Sequence, residues 1–359
     1  MNHKLLSIGL MSALTLLSSV NLYGYEIKGK IASSLSGVDG KYVYILPIQA
    51  KGLNEVIDSA KISNNSFILS GADKGEMMCR LFIQDMTPGK TYSPSFLLEK
   101  GNLVATLDTF SYVNGTPEND AFSALMKKVE ETQTKLSAIP KDADADKKYE
   151  EIIKELNGEA YKYILANPTK LTAAKLFTDL RYDLTEAEQE EILAVADAKF
   201  MAFPGVSSMK EHLEVLKKVA PGKKFIDFEM ADSDGKLHKI SEYIGKGKVV
   251  LLDFWASWCG PCMREVPSIK KIYDKYKDKG FEIVGISFDN KKENWMKART
   301  DKNMNWIHLS DIKGWKSLAA PMYGVNSIPC TLLIDKDGTI LQRNIFGDEL
   351  EGKLAELLK

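Results

Sequence analysis

The stretch VVLLDFWASWCGPC, residues 249–262, constrains this chain more than any other. VVLLDF is an apolar run of strand length, interrupted only by Asp253, as expected for a strand covered on both faces. A helix is expected from Cys262 onward, which puts Cys259 at a strand-to-helix junction. Two cysteines three positions apart serve one of three chemistries: half of a zinc site, a structural disulfide, or a dithiol that is made and broken in turn.

The rest of the composition weighs these against one another. A structural zinc site needs four ligands. The chain has four cysteines in all and no second CxxC, and its four histidines, His3, His212, His238 and His308, fall at no ligand spacing. No metal and no cofactor is expected. A permanent bridge closing so short a loop would restrict the unfolded chain little. The dithiol has a positive mechanism. Orphan amide N–H groups and the helix dipole at a helix N-terminus stabilise a thiolate and lower its pKa, here at Cys259. Pro261 suits the first turn, where its missing N–H costs nothing. Cys262 lies on the same helical side, within reach of the first sulfur.

A length of 359 residues implies two or three domains, and four cysteines are too few for a disulfide scaffold. The net charge of −1, with both signs interspersed, offers no broad basic surface for nucleic acid. The N-terminus, MNHKLLSIGLMSALTLLSSVNLYG, has a positive start at Lys4, an apolar or small stretch over 5–20, and a small residue at Gly24. That is the layout of a secretory signal peptide over 1–24, too short for an ordinary membrane span. Export and solubility in an oxidising compartment such as the periplasm follow as expectations, with an uncleaved anchor as the lesser alternative.

Three styles of sequence follow the signal. Residues 25–115 alternate in short runs with turn signals at Asn64-Asn65 and Gly101-Asn102, an antiparallel β domain. Residues 116–220 read as a helical connector, opened by Thr116-Pro117. A second helix would place Tyr149, Ile152, Ile153, Leu156 and Ala160 on one face, a third opens at Asn167-Pro168, and Thr185 with Glu188 forms a capping box for a fourth. KDADADKK, 141–148, reads as a loop. From 221 to 359 strands and helices alternate, with hairpin turns at Asp234-Gly235 and Asp337-Gly338, which predicts an α/β domain with a central sheet flanked by helices.

LLDFWASWCGPC resembles the active-site segment of the thioredoxin superfamily, and residues 221–359 resemble its TlpA/ResA-like exported branch. Trp255 and Trp258 stand at the family's tryptophan positions, Asp253 at its buried acid, Pro267 at the proline of its active-site helix, and Gly338 and Gly347 at later glycines. SIPCTLLID puts Pro329 where the family carries a cis-proline facing the dithiol. The insert over 290–322, with Trp295, Trp306 and Trp315, is typical of the branch. The N-terminal part resembles a β domain of unknown function that precedes such domains in secreted bacterial proteins. The resemblance implies Cys259 as nucleophile, Cys262 as resolving thiol, Asp253 as acceptor of its proton, and Pro329 beside them. Trp258, Gly260, Pro261 and Ile328 are the implied substrate contacts. Two positions depart from the pattern: Gly285 replaces the lysine that pairs with the buried acid, and Cys330 replaces a threonine. Cys330 and Cys79 read as buried, inert thiols, with a third redox partner close to the site as the alternative for Cys330.

The expected activity is therefore that of an exported thiol–disulfide oxidoreductase, reducing protein disulfides and drawing electrons from a membrane thiol carrier. The Gly-Pro between the cysteines is the thioredoxin dipeptide, from the reducing end of the range. A thiol peroxidase on the same fold, and a binding protein working through its N-terminal β domain, are the alternatives. The sequence is silent on oligomeric state.

Overall fold

The structure is a computed structural model that describes residues 24–35, 37–83, 93–140 and 144–359. Residues 1–23 of the expected signal segment, 1–24, lie outside the described residues, as do residues 84–86 of RLFIQDM, 80–86, which reads in sequence as a strand. Chain contacts separate two compact units, with the division between Val206 and Ser207.

Among its described residues the first unit holds eight strands: β1 Gly24–Ile31, β2 Tyr42–Pro47, β3 Asp58–Lys61, β4 Ser66–Ala72, β5 Met77–Ile83, β6 Ser95–Leu98, β7 Gly101–Leu107 and β8 Tyr112–Asn114. They form two four-stranded sheets, ordered β4-β1-β7-β8 and β3-β2-β5-β6, antiparallel except for the parallel pair β1–β7. Alternating inward residues from both sheets, such as Ile27, Leu69 and Leu103 on one and Ile45, Leu81 and Phe96 on the other, share one core. Asn64 and Asn65 do turn the chain, with φ of 51° and 54°. After the Ser63–Ser66 bridge, however, the flanking strands part into different sheets. Gly101 opens β7 instead of turning; the chain bends at Lys100 and passes from β6 in one sheet to β7 in the other.

Among the described residues five helices follow: α1 Pro117–Ser137, α2 Ala145–Ala166, α3 Leu171–Asp179, α4 Glu186–Val195 and the short α5 Ala198–Met201. The capping box at α4 is present, with Glu188 N–H donating to Thr185 Oγ1 (3.2 Å) and Thr185 N–H to Glu188 Oε2 (2.8 Å). Residues 145–148, expected in a loop, begin α2, because their polar side chains face solvent along the helix. Tyr149 is exposed, so the buried stripe of α2 omits it. The third helix starts at Leu171, later than Asn167-Pro168.

The second unit begins within α6, Val206–Lys218, and continues through the hairpin β9 Glu229–Ala231 and β10 Leu237–Lys239. Its centre is a mixed five-stranded sheet of β11 Val249–Trp255, β12 Phe281–Ser287, β13 Ile307–Leu309, β14 Cys330–Ile334 and β15 Ile340–Arg343, ordered β13-β12-β11-β14-β15. β11, β12 and β13 run parallel, while β14 and β15 are antiparallel to their neighbours. The helices are α7 Gly260–Tyr276, α8 Lys292–Asp301, α9 Ala319–Met322 and α10 Gly347–Leu357. Every residue of β11 is buried, as its near-continuous apolar run requires. Gly338, at φ 87°, lets Phe225 pack where a Cβ would stand 2.9 Å from its ring. The segment entering the unit is thereby fixed along β15, with Phe225 N–H donating to Gly338 O. This mixed sheet with flanking helices is the thioredoxin-like arrangement expected for the C-terminal part.

Candidate active site

The carboxyl end of β11 delivers the chain into α7, the place where open α/β sheets hold their reactive groups. Cys259 is the N-cap of α7, and its Sγ accepts the Cys262 N–H at 3.1 Å. A sulfur takes the cap role that a Ser or Asp oxygen has elsewhere, satisfying one orphan amide of the first turn. Cys259 and Cys262 form a disulfide with their Cα atoms 5.3 Å apart. Both are 4% exposed, so the bond is reached over a rim. Trp258 (51% exposed), Gly260 and Pro261 make that rim, with the Arg264 guanidinium 3.6 Å from where a Cβ on Gly260 would stand.

The loop before β14 closes the other side. The Ile328–Pro329 peptide is cis, and the Ile328 carbonyl oxygen lies 3.6 Å from Cys259 Sγ. Of the eight residues expected at the site, Cys259, Cys262, Ile328 and their rim neighbours thus stand together around one sulfur. Asp253 and Pro329 meet Cys262 one layer deeper. They line a cavity of about 10 Å3 with Cys262, Trp255 and Glu265, room for a single water.

Asp253 is 4% exposed, and burial, with the Glu265 charge adding to it, pushes its carboxyl up to about 7. Its partners in register are Gly285 on β12 and Thr331 on β14. Beyond Gly285, in the same row, stands His308 on β13. A Cβ on Gly285 would lie 2.7 Å from His308 Nδ1 and 2.9 Å from Trp255 Nε1. The two rings thus occupy the space that a lysine would need. His308 is 3% exposed, and burial, aided by the Arg299 cation, pushes its imidazole down to about 3. It is neutral at any ordinary pH. Cys330 pairs with Phe254 and is 3% exposed, its thiol pushed up to about 11 by burial; burial likewise raises Cys79 to about 12.

Two residues that the sequence reading left unassigned belong to this site. Glu265, three positions after Cys262, reaches the Asp253 cavity from α7. Helical spacing from the second cysteine is the signal that finds it. Asp289 is 1% exposed just past β12. Its carboxylate accepts from the backbone N–H of Ser257 (3.0 Å), the Ser257 hydroxyl and the Ser287 hydroxyl (2.7 Å), pinning the turn that carries Trp258 and Cys259. A carboxylate directly after an apolar strand is a weak signal in sequence.

Residues 221–343 match the AhpC/TSA family, and residues 25–122 match a domain of unknown function, DUF4369. The thiol-disulfide oxidoreductase ResA of Bacillus cereus is 34% identical over 163 residues, 45% of this chain and 86% of that protein. The ResA of Geobacillus kaustophilus is 36% identical over 124 residues, 34% of this chain and 68% of that protein. Among solved structures, a thiol-disulfide oxidoreductase from Bacteroides fragilis is 34% identical, covering 38% of this chain and 100% of its own, at a TM-score of 0.36.

Proposed function

This chain belongs to the ResA-like thiol-disulfide oxidoreductases, and from that premise we propose that it is an exported reductant of protein disulfides, exchanging through Cys259 and Cys262. The observation that carries the reading is the sulfur pair itself, capped on α7 with the Cys262 amide directed at Cys259 Sγ. That amide and the helix dipole stabilise a thiolate at Cys259.

In the reduced enzyme the Cys259 thiolate attacks one sulfur of a substrate disulfide. A mixed disulfide forms and one substrate thiolate leaves. Cys262 then gives its proton to Asp253, whose burial suits it to proton exchange near neutral pH, and attacks Cys259 Sγ. The second substrate thiolate departs, and the Cys259–Cys262 bond holds the oxidised enzyme. Two electrons have passed to the substrate, and an external dithiol, such as a membrane thiol carrier, must return them. The loop at Ile328 and Pro329 supplies backbone on which an extended substrate can pair. The signal-like segment over 1–24 supports export. Cys79 and Cys330, both buried with raised pKa values, give no lone reactive thiol of the kind a peroxidase needs.

The test is a Cys262→Ser variant, expected to accumulate mixed disulfides with protein substrates at Cys259. Capture that persists in a Cys259→Ser, Cys262→Ser double variant would sink the assignment.

A further inference from the structure

Two indoles stand in the open beside the dithiol. Trp258 is 51% and Trp315 46% exposed, and their ring centres lie 6.1 Å apart. Paired exposed aromatics carry a large unfavourable hydration term, which marks a contact surface. Trp315 is held by Phe288, 5.3 Å away. Behind it opens a groove of about 480 Å3, in the size range of ordinary ligand sites. One wall is α6, through His212 and Val215; the other is Ala320, Pro321 and Val325. α6 is seated closely there, since a Cβ on Gly324 would stand 2.8 Å from Leu216 Cδ2.

The groove is continuous with the exchange site at two edges. Trp315 lines it and also touches Trp258, next to Cys259. Val325 and Asn326 line it too, and Ile328, two residues on, presents its carbonyl to Cys259 Sγ. A polypeptide lying across the dithiol therefore meets this groove as it leaves Cys259. Among the described lining residues none is a lysine or arginine, and Glu211 adds a negative charge at the rim. A small anionic disulfide finds no lysine or arginine to pair with here, whereas apolar side chains find a matching wall.

We propose that the groove between α6, Trp315 and Val325 receives the segment flanking the substrate's cysteine, selecting extended polypeptides with apolar side chains there. The proposal rests on the exchange reading above and names its substrate class. α6 precedes the sheet domain in the chain, so this wall is an addition that the sheet itself does not supply.

The full chain, reduced, is assayed on three disulfides: 2-hydroxyethyl disulfide, and two peptides whose cysteine carries a mercaptoethanol cap, with Leu-Phe or Ser-Gly beside it. Wild type is expected to favour the Leu-Phe peptide over the Ser-Gly one. Trp315→Ala and Val215→Asp should each raise KM for the Leu-Phe peptide roughly tenfold more than for the small disulfide, and Trp315→Phe should restore most of the loss. Val215→Asp, at a half-buried position away from the dithiol, keeps the test valid if Trp315→Ala unfolds. Equal losses on all three disulfides, no loss, or a loss that accompanies a change of oligomeric state would overturn the groove as a substrate site. A wild-type enzyme that reduces none of the three would instead remove the exchange reading itself.

Discussion

Gly285 lies directly opposite Asp253 in the parallel register of β11 and β12, and the space above it is taken by His308 and Trp255. The position where the family pairs a lysine with its buried acid is thus closed by two rings. Asp253 keeps its raised pKa through burial and the Glu265 charge, with no cation across the strand to lower it. A side chain at 285 must displace a packed ring. Gly285→Ala is expected to lower unfolding free energy by about 1–3 kcal/mol, and Gly285→Lys by more, read by denaturant unfolding of the full chain. Full stability in the lysine variant would show that the rings yield easily.

Asp253 also ties stability to pH. Its carboxyl binds a proton more tightly in the folded chain, at about 7, than at the ordinary 3.8. Between those values the folded state holds the extra proton, so stability falls as pH rises through the window and levels off above it. A shift of that size corresponds to on the order of 4 kcal/mol. The difference in unfolding free energy between wild type and Asp253→Asn should therefore decline from pH 4 to pH 8. Parallel curves would show that Asp253 titrates normally.

Glu265 contributes to that shift by like-charge repulsion across the small cavity. Glu265→Gln should lower the Asp253 pKa, because the ionised carboxylate no longer faces a second one. If Asp253 accepts the Cys262 proton, the resolving step speeds up as pH rises through its pKa, and the variant's rise should come at lower pH. Single-turnover release from a preformed mixed disulfide reads this directly. An unmoved midpoint would exclude coupling between the two acids.

Asp289 holds the turn that carries the dithiol. Removing its carboxylate leaves the Ser257 N–H and two hydroxyls without their acceptor in a buried place. Hydrogen bonds to charged groups contribute about 1.5–3 kcal/mol each, so Asp289→Ala should cost on the order of 3 kcal/mol. It should also slow exchange with a small disulfide, because the rim at Trp258 and the cap at Cys259 lose their anchor. Unchanged exchange in a folded variant would separate Asp289 from the site.

How much of this was legible follows from range. The β11-to-α7 junction, the cap pair Thr185 and Glu188, and the hairpin turns at Gly235 and Gly338 are written within a few residues, in periodicity and turn chemistry. The dithiol carried its own context in neighbouring residues. The parting of β3 and β4 into separate sheets was hidden, because an Asn-Asn turn looks the same whether its strands pair or diverge. The filling of the Gly285 position was hidden as well, since His308 reaches it from another strand. Trp315 and α6 are far apart in sequence, and only the fold sets them along one groove.

The four thiols should divide cleanly in two. Burial raises Cys330 to about 11 and Cys79 to about 12, so at pH 8 roughly one in a thousand Cys330 thiols, or fewer, is ionised. The thiolate is the reacting species, and both side chains are closed to reagent. After reduction, brief iodoacetamide treatment should label Cys259 first and leave Cys330 and Cys79 unmodified until denaturant is added, as mapped by peptide mass. Because Cys330 follows Pro329 directly and opens β14 opposite Phe254 on β11, its labelling in the folded enzyme would mean that the strand opens beside the dithiol. A third sulfur would then be within the exchange chemistry, and Cys330→Ser would have to change the mixture of disulfides formed.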